Sequence, residues 1–186
     1  FLIGQGLIDI ATSTQIKMKN LKTLVISDNR LTDPSVAEFM RSENFPNLES
    51  LDVGWNEVGN ETAKSLGQIT SFPGLKILNM DRSYIEVEAL KEMVQGSLME
   101  QLQELDLSAN KLKDEGVKVL ALAPKWKALK QLRLSQNMFG DEGAKALGES
   151  VMLGGLTHLY AGRNYFGNEG AKAIHESKTL TALKTL

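Results

Sequence analysis

Leucine recurs along this chain with a fixed stride. Leu21, Leu48, Leu75, Leu102, Leu129, Leu156 and Leu183 stand 27 residues apart. Three residues after each comes Leu24, Leu51, Leu78, Leu105, Leu132, Leu159 or Leu186, and five after come Ile26, Val53, Met80, Leu107, Leu134 and Ala161. Polar residues separate these positions, as in "LDLSAN" and "LRLSQN", so each unit opens with a period of two, which predicts a short strand with one buried face. The second part of the unit changes period. In "DEGVKVLALA" and "DEGAKALGES" the apolar or small residues fall at Val117, Leu120 and Ala121 and at Ala144, Leu147 and Gly148, one face of a helix. A unit this short hides its apolar edge only against copies of itself, which predicts a stack.

The polar positions repeat as well. Asp33, Asn60, Asp114, Asp141 and Asn168 share one register at the predicted helix starts, where a short side-chain oxygen is expected to cap the first free N–H groups of its own helix. Pro34 fits that start, and Glu61, Glu88, Glu115, Glu142 and Glu169 lie in the first turn, where the helix dipole favours negative charge. One position later Ser35, Thr62, Ala89, Gly116, Gly143 and Gly170 are all small, so stacked helices are expected to approach closely there. Asn29, Asn56, Ser83, Asn110, Asn137 and Asn164 follow the strands, where the chain bends inward. A buried row of carboxamides can pair main-chain groups that a tight coil leaves open, each lost bond costing about 1–3 kcal/mol. The third unit, from Leu75, departs at two places: Ser83 replaces the asparagine and Val87 replaces the cap. A local weakness is expected there.

The run Leu102, Leu105, Leu107, Asn110 and Leu112 followed by "KDEGVKVLA" resembles the leucine-rich repeat, and the Asp-Glu-Gly helix start resembles its ribonuclease-inhibitor-like subfamily. The likeness covers nearly the whole chain as one domain, 1–186: a partial unit over 1–20 with "IGQGLIDIA" as its helical half, full units from 21, 48, 75, 102, 129 and 156, and a truncated one at 183–186. It implies an α/β solenoid, a right-handed horseshoe with a parallel β-sheet on the concave face and α-helices on the convex face. It also implies function. Relatives include ribonuclease inhibitors, innate-immunity sensors, a GTPase activator for Ran and bacterial effectors, nearly all acting by gripping another protein. The expectation is therefore a non-catalytic module binding a protein partner through its concave face. The alternative is a recognition or regulatory segment of a larger protein, GTPase-activator-like, innate-immune-sensor-like or effector-like, with activity elsewhere.

Since neighbouring parallel strands lie about 4.8 Å apart, equal positions in successive units form rows, and the outward rows map the concave face. The partner-binding candidates read from them are Trp55, Asp81, Arg82, Tyr84, Asp106, Arg133, His158, Tyr160, Arg163 and Tyr165. Aromatic rings and guanidinium forks are the groups enriched at interface hot spots. Trp55 is expected to stack on Arg82, and Asp106 to pair with Arg133. Trp126 is expected as a lid at the core edge, in a solvated loop with Lys125, Lys127 and Lys130.

Composition narrows the classes further. With 21 basic and 23 acidic residues the net charge is -2, giving no reason to expect a nucleic-acid or anionic-membrane partner. No apolar run suggests a membrane span or signal peptide, and cysteine is absent, which fits a cytoplasmic setting or a secreted effector. A monomer is expected, with end-to-end contact through uncapped termini as the other possibility. No catalytic, cofactor-binding or metal-binding residue is assigned. His158 has Asp106 two strands away, about 10 Å, too far for a Ser-His-Asp arrangement. The "GDEG" and "GNEG" segments lack the Lys-Ser/Thr of a phosphate loop, and the "NET" sequon at 60 to 62 coincides with a helix start.

Overall fold

The computed structural model describes residues 4–15 and 17–186, so Ile3 of the "IGQGLIDIA" segment lies outside the described residues. Each alternating stretch is a three-residue strand: β1 Thr23–Val25, β2 Ser50–Asp52, β3 Ile77–Asn79, β4 Glu104–Asp106, β5 Gln131–Arg133 and β6 His158–Tyr160. They form one parallel sheet in chain order, and the register sets Leu24, Leu51, Leu78, Leu105, Leu132 and Leu159 side by side. The 27-residue stride is thus the sheet's own register. A bridge from His158 to Thr185 carries the pairing into the truncated unit.

The helical stretches are α1 Gly4–Thr12, α2 Asp33–Met40, α3 Asn60–Gln68, α4 Val87–Met93, α5 Lys113–Leu122, α6 Asp141–Glu149 and α7 Asn168–His175, each packed on the next. The core fills the space between sheet and helices. Leu51, Leu78, Leu105, Leu132 and Leu159 are buried from the strands, and Leu66, Leu90, Leu120 and Leu147 meet them from the helices. Phe39 packs on Phe45 and Phe72 with ring centroids 5.1 and 5.6 Å apart. Trp126 closes over the core edge, buried, and its indole Nε1 donates to the Leu120 carbonyl at 2.9 Å. Two of the lysines beside it are not simply solvated. Lys125 and Lys127 clamp Glu100 at 2.8 and 2.6 Å, and hydrogen bonding from the two ammonium groups holds that carboxyl at about 2.

The asparagine row is a hydrogen-bonded spine. Asn56 Oδ1 accepts the main-chain N–H groups of Asn29 and Leu31, both at 3.0 Å, while its Nδ2 donates to the carbonyls of Ile26 and Val53 at 2.9 Å each. Asn137 repeats the pattern, accepting from Asn110 at 3.0 Å and Leu112 at 3.2 Å and donating to Leu107 at 2.8 Å. Asn164 accepts from Asn137 at 2.7 Å. The residue before each spine position, Asp28, Trp55, Arg82, Ala109, Gln136 or Arg163, is left-handed, with φ between 52° and 59°. None is glycine, so the spine holds a turn that costs on the order of 1 kcal/mol in each unit.

The caps work differently from the sequence expectation. The residues ahead of the helices, such as Thr32, Gly59, Gly140 and Gly167, make no side-chain cap bond, and the predicted capping residues stand inside the first turn. The stacking offset brings the next helix within reach of these side chains. Asp33 accepts from Gly59, Glu61 and Thr62 at 2.9, 2.7 and 2.9 Å, Asp114 from Gly140 and Gly143 at 2.8 Å each, and Asp141 from Gly167 and Gly170 at 2.7 and 2.8 Å. Asn60 accepts from the Glu86 N–H at 2.8 Å and donates to its carboxylate, so the sequon asparagine is engaged in the stack. Four of the units thus seal their successors; the third, with Val87 at that position, does not. The small column follows: a Cβ on Gly143 would lie 2.8 Å from Asp114 Oδ1, and one on Gly170 2.7 Å from Asp141 Oδ1.

Candidate functional site

The concave face is built where strands end and left-handed turns begin. The polar residues closing β2, β3 and β4 bond the main chain two residues on: Asp52 accepts from Gly54 at 2.9 Å, Asn79 from Asp81 at 3.0 Å and Asp106 from Ser108 at 2.8 Å. These local bonds fix the side chains that follow. Trp55 and Arg82 occupy the turn positions after β2 and β3, and the Arg82 guanidinium carbon lies 3.7 Å from the Trp55 ring centroid. Trp55 nonetheless remains 53% exposed, a flat ring held by a cation on one side.

Beneath this pair sits a carboxylate trio. Asp81 leans over Gly54 so closely that a Cβ there would collide with its Oδ1, and it faces Asp106 and Asp52. Burial pushes the Asp81 carboxyl above its ordinary value, repulsion from Asp106 and Asp52 adds to that, and hydrogen bonding with Trp55 and Asn79 works against it. The trio does not converge on a point: among the described residues, no group of three or more His, Cys, Asp or Glu side chains is placed to hold a metal ion. Asp106 continues to Arg133, Oδ2 to Nε 3.9 Å, and the Arg133 guanidinium lies 4.2 Å over the Tyr160 ring. Tyr160 stacks with His158, centroids 6.5 Å apart, and His158 Nδ1 meets Thr157 Oγ1 at 2.9 Å.

Seven of the ten candidates, Trp55, Asp81, Arg82, Asp106, Arg133, His158 and Tyr160, therefore form one strip of contacts across five strands and turns. Tyr84, Arg163 and Tyr165 project separately from the exit turns, the two tyrosines 67% and 71% exposed. Asp52 is an additional member of the electrostatic cluster, and Val25 and Ile77 add exposed apolar spots. The alternation marks Val25 and Ile77 as outward, but an exposed aliphatic residue is too ordinary to signal a site.

Four segments of the chain, residues 17–40, 46–67, 101–121 and 128–148, match the family model described as "Leucine Rich repeat". The chain is a leucine-rich-repeat solenoid. The matched segments pass over the third unit, where Ser83 and Val87 stand. Among solved structures, this leucine-rich-repeat chain is similar to an internalin (inlF) from Listeria monocytogenes, at 19% identity and a TM-score of 0.50 over 90% of this chain. It is also similar to TLR13, solved in a complex titled "TLR13-ssRNA13", at 20% identity and a TM-score of 0.51 over 99% of this chain. It spans 48% of the internalin chain and 26% of the TLR13 chain. At that identity the likeness is one of fold. No curated protein matches the chain. Among the described residues no helix is long and apolar enough to cross a membrane.

Proposed function

We propose that this solenoid is a non-catalytic protein-binding module whose concave strip, from Trp55 to Tyr160, receives a protein partner. The observation that carries this is the stacked Trp55–Arg82 pair, half exposed above three carboxylates. An indole already ordered by its neighbour presents a large rigid area that loses little freedom on binding. The carboxylate trio suits a lysine or arginine from the partner, and the Arg133–Tyr160 end suits an acidic or aromatic group. Three carboxylates against two arginines would repel a phosphate backbone, which favours protein over nucleic acid. We also assign the ribonuclease-inhibitor-like repeat subtype, on the Asp-Glu-Gly helix starts and the α-helix in every convex segment.

A photo-cross-linking residue at Ile77, on the strip, is expected to capture one partner that the same residue at Leu122, exposed on a helix, does not. Trp55→Ala with Arg82→Ala should weaken that capture at least tenfold while leaving melting nearly unchanged. Capture from Leu122 and not from Ile77 would reject the concave face. A second reading, a recognition segment within a larger regulatory protein, uses the same strip and draws support from the partial span of both structural neighbours. Binding to the solenoid that alters an activity housed elsewhere in a longer chain would favour it.

A further inference from the structure

The third unit leans back on the second, and the fourth leans forward on the fifth. Glu57, Tyr84 and Tyr165 share one register in the exit turns, and their N–H groups donate to the carbonyls of Leu31, Val58 and Phe139 in the units before them, at 2.9, 2.8 and 2.8 Å. The Lys111 N–H, at the same register, makes no such bond; instead the Lys113 N–H donates forward to the Asn137 carbonyl at 2.8 Å. The helices divide at the same place. Polar contacts join α2 to α3 (Ser65 Oγ to the Ala37 carbonyl, 3.1 Å), α3 to α4 (Lys64 to Glu92, 3.5 Å), α5 to α6 (Lys118 to Glu142, 3.4 Å) and α6 to α7 (the Gly170 N–H to Asp141, 2.8 Å). Among the described residues, α4 and α5 share no hydrogen bond or ion pair.

Side chains explain the division. Gly67 lets α4 come so close that a Cβ on it would collide with the Glu92 carbonyl, and Gly148 meets the Ala173 carbonyl of α7 in the same way. In that column the third unit has Val94, whose branched side chain keeps α5 from approaching as near. Ser42, Ser150 and Ser177 donate from the helix ends to the Ala11, Ala121 and Gly148 carbonyls of the helix before; the fourth unit has Ala123 there, with no hydroxyl. Gly96 rests against the Leu66 carbonyl, so the 3₁₀ turn Ser97–Glu100 that follows α4 also sits on α3. With Val87 in the sealing column, three columns fail together at one junction.

What holds this junction lies on the sheet or along the rim where the strands begin. β3 and β4 keep full register, the Met80 and Arg82 N–H groups donate to the Asp106 and Ser108 carbonyls at 2.9 Å each, Asn110 Nδ2 donates to the Met80 carbonyl at 2.9 Å, and Lys125 and Lys127 grip Glu100. A joint tied along one line and open on the other side bends about that line. We propose that this junction is a hinge between two rigid blocks, the units up to the third and the units from the fourth onward, and that the curvature of the concave face is set there. A bend of roughly 10° about the sheet moves a helix layer about 10 Å away by about 2 Å, which slides α4 against α5 without breaking a polar contact between them. The concave strip crosses the hinge, with Trp55, Asp81 and Arg82 on one block and Asp106, Arg133 and Tyr160 on the other, so a partner lying across it meets two halves that close. That consequence rests on the proposed concave site; the hinge does not.

The chain has no cysteine, so introduced cysteines carry spin labels at chosen places only. Gln95, Leu122, Glu149 and Glu176 are exposed at one register of successive units. In the free chain, double electron–electron resonance of Gln95→Cys with Glu149→Cys, which spans the α4–α5 gap, is expected to give a distance distribution about twice as broad as Leu122→Cys with Glu176→Cys, which spans two joined helix pairs. Ile77→Cys with Gln131→Cys, on the strands, should be as narrow as the latter, because the sheet is the pivot. Val87→Asp with Ala123→Ser, which supplies a seal and a helix-end hydroxyl, should narrow the Gln95 and Glu149 pair to the same width. Equal widths for the two helix pairs in the unaltered chain would overturn the hinge. So would a broad Ile77 and Gln131 pair, meaning that the units part rather than bend, or breadth that survives the repair. All widths are read without a partner, so they separate failure of the hinge from failure of the concave site.

Discussion

The junction between the fourth and fifth units and the junction between the third and fourth have the same strand pairing and the same leucine column, yet they are held differently. In the former, Asn137 ties two main-chain N–H groups of the fourth unit and Asp114 seals α6. In the latter, Asn110 Oδ1 and Ser83 Oγ lack partners and no side chain seals α5, leaving the sheet bonds, the Asn110 Nδ2 bond to the Met80 carbonyl at 2.9 Å and the Glu100 clamp on the opposite rim. Apolar burial therefore fixes the register of a solenoid, and the polar columns decide how tightly each unit is joined to the next.

The largest expected difference comes from cutting the intact spine. Asn137→Ala should destabilise the chain by about 3 kcal/mol or more in urea unfolding, since it leaves several buried main-chain groups unpaired. Ser83→Ala, removing a hydroxyl that bonds to nothing, should stay within about 0.5 kcal/mol. Equal losses would erase the distinction between the two junctions. Next in size, Asp114→Ala unseals α6 and should cost about 1–2 kcal/mol, whereas Val87→Asp should stabilise by about 0.5–1 kcal/mol, both read from the same unfolding curves. A destabilising Val87→Asp would show that the third unit's helix start is too far from α5 to seal it. Ser83→Asn should add about 1 kcal/mol and slow hydrogen exchange at 83–86 toward the rate at 110–113.

The smallest effects follow pH. Glu100 and Glu49, both held at about 2 by paired lysines, have folded values below the unfolded 4.5, so their contribution is present at neutral pH and disappears as pH falls from about 4.5 to 2. Glu100 spans the weak junction, so acid should raise exchange at 83–87 before it does so at 110–116. Asp81 has the opposite sign. Its value is raised in the folded chain, so stability declines as pH climbs from 3.8 through the folded value, and Asp81→Asn should raise the melting temperature at pH 7 by roughly 1–2 °C. A lower melting temperature would mean that its bond with Trp55 outweighs its burial.

The stride of leucines was enough to place every strand and the buried columns, because a 27-residue period admits one stacking register. The Trp55–Arg82 and Asp106–Arg133 contacts were legible for the same reason: neighbours in a row become neighbours in space. What sequence could not supply was direction along the stack. Asp33 and Asp114 look like caps of their own helices in any linear reading, and only the offset between packed helices turns them toward the next. The lysines around Trp126 misled in a similar way, since they suggested a solvated loop while Lys125 and Lys127 close on Glu100 of the unit before. The substitutions at Ser83 and Val87 were visible as departures, but that they leave Asn110 Oδ1 without a partner and α5 without a side-chain seal shows only in three dimensions.

Forward-facing seals make every module that carries an aspartate or asparagine there an acceptor for its follower's helix start. A segment transplanted between such arrays would bring the lock for whatever comes after it and would borrow its own from the host, so grafts placed behind an aspartate or asparagine should take, and a graft placed behind Val87 should start frayed.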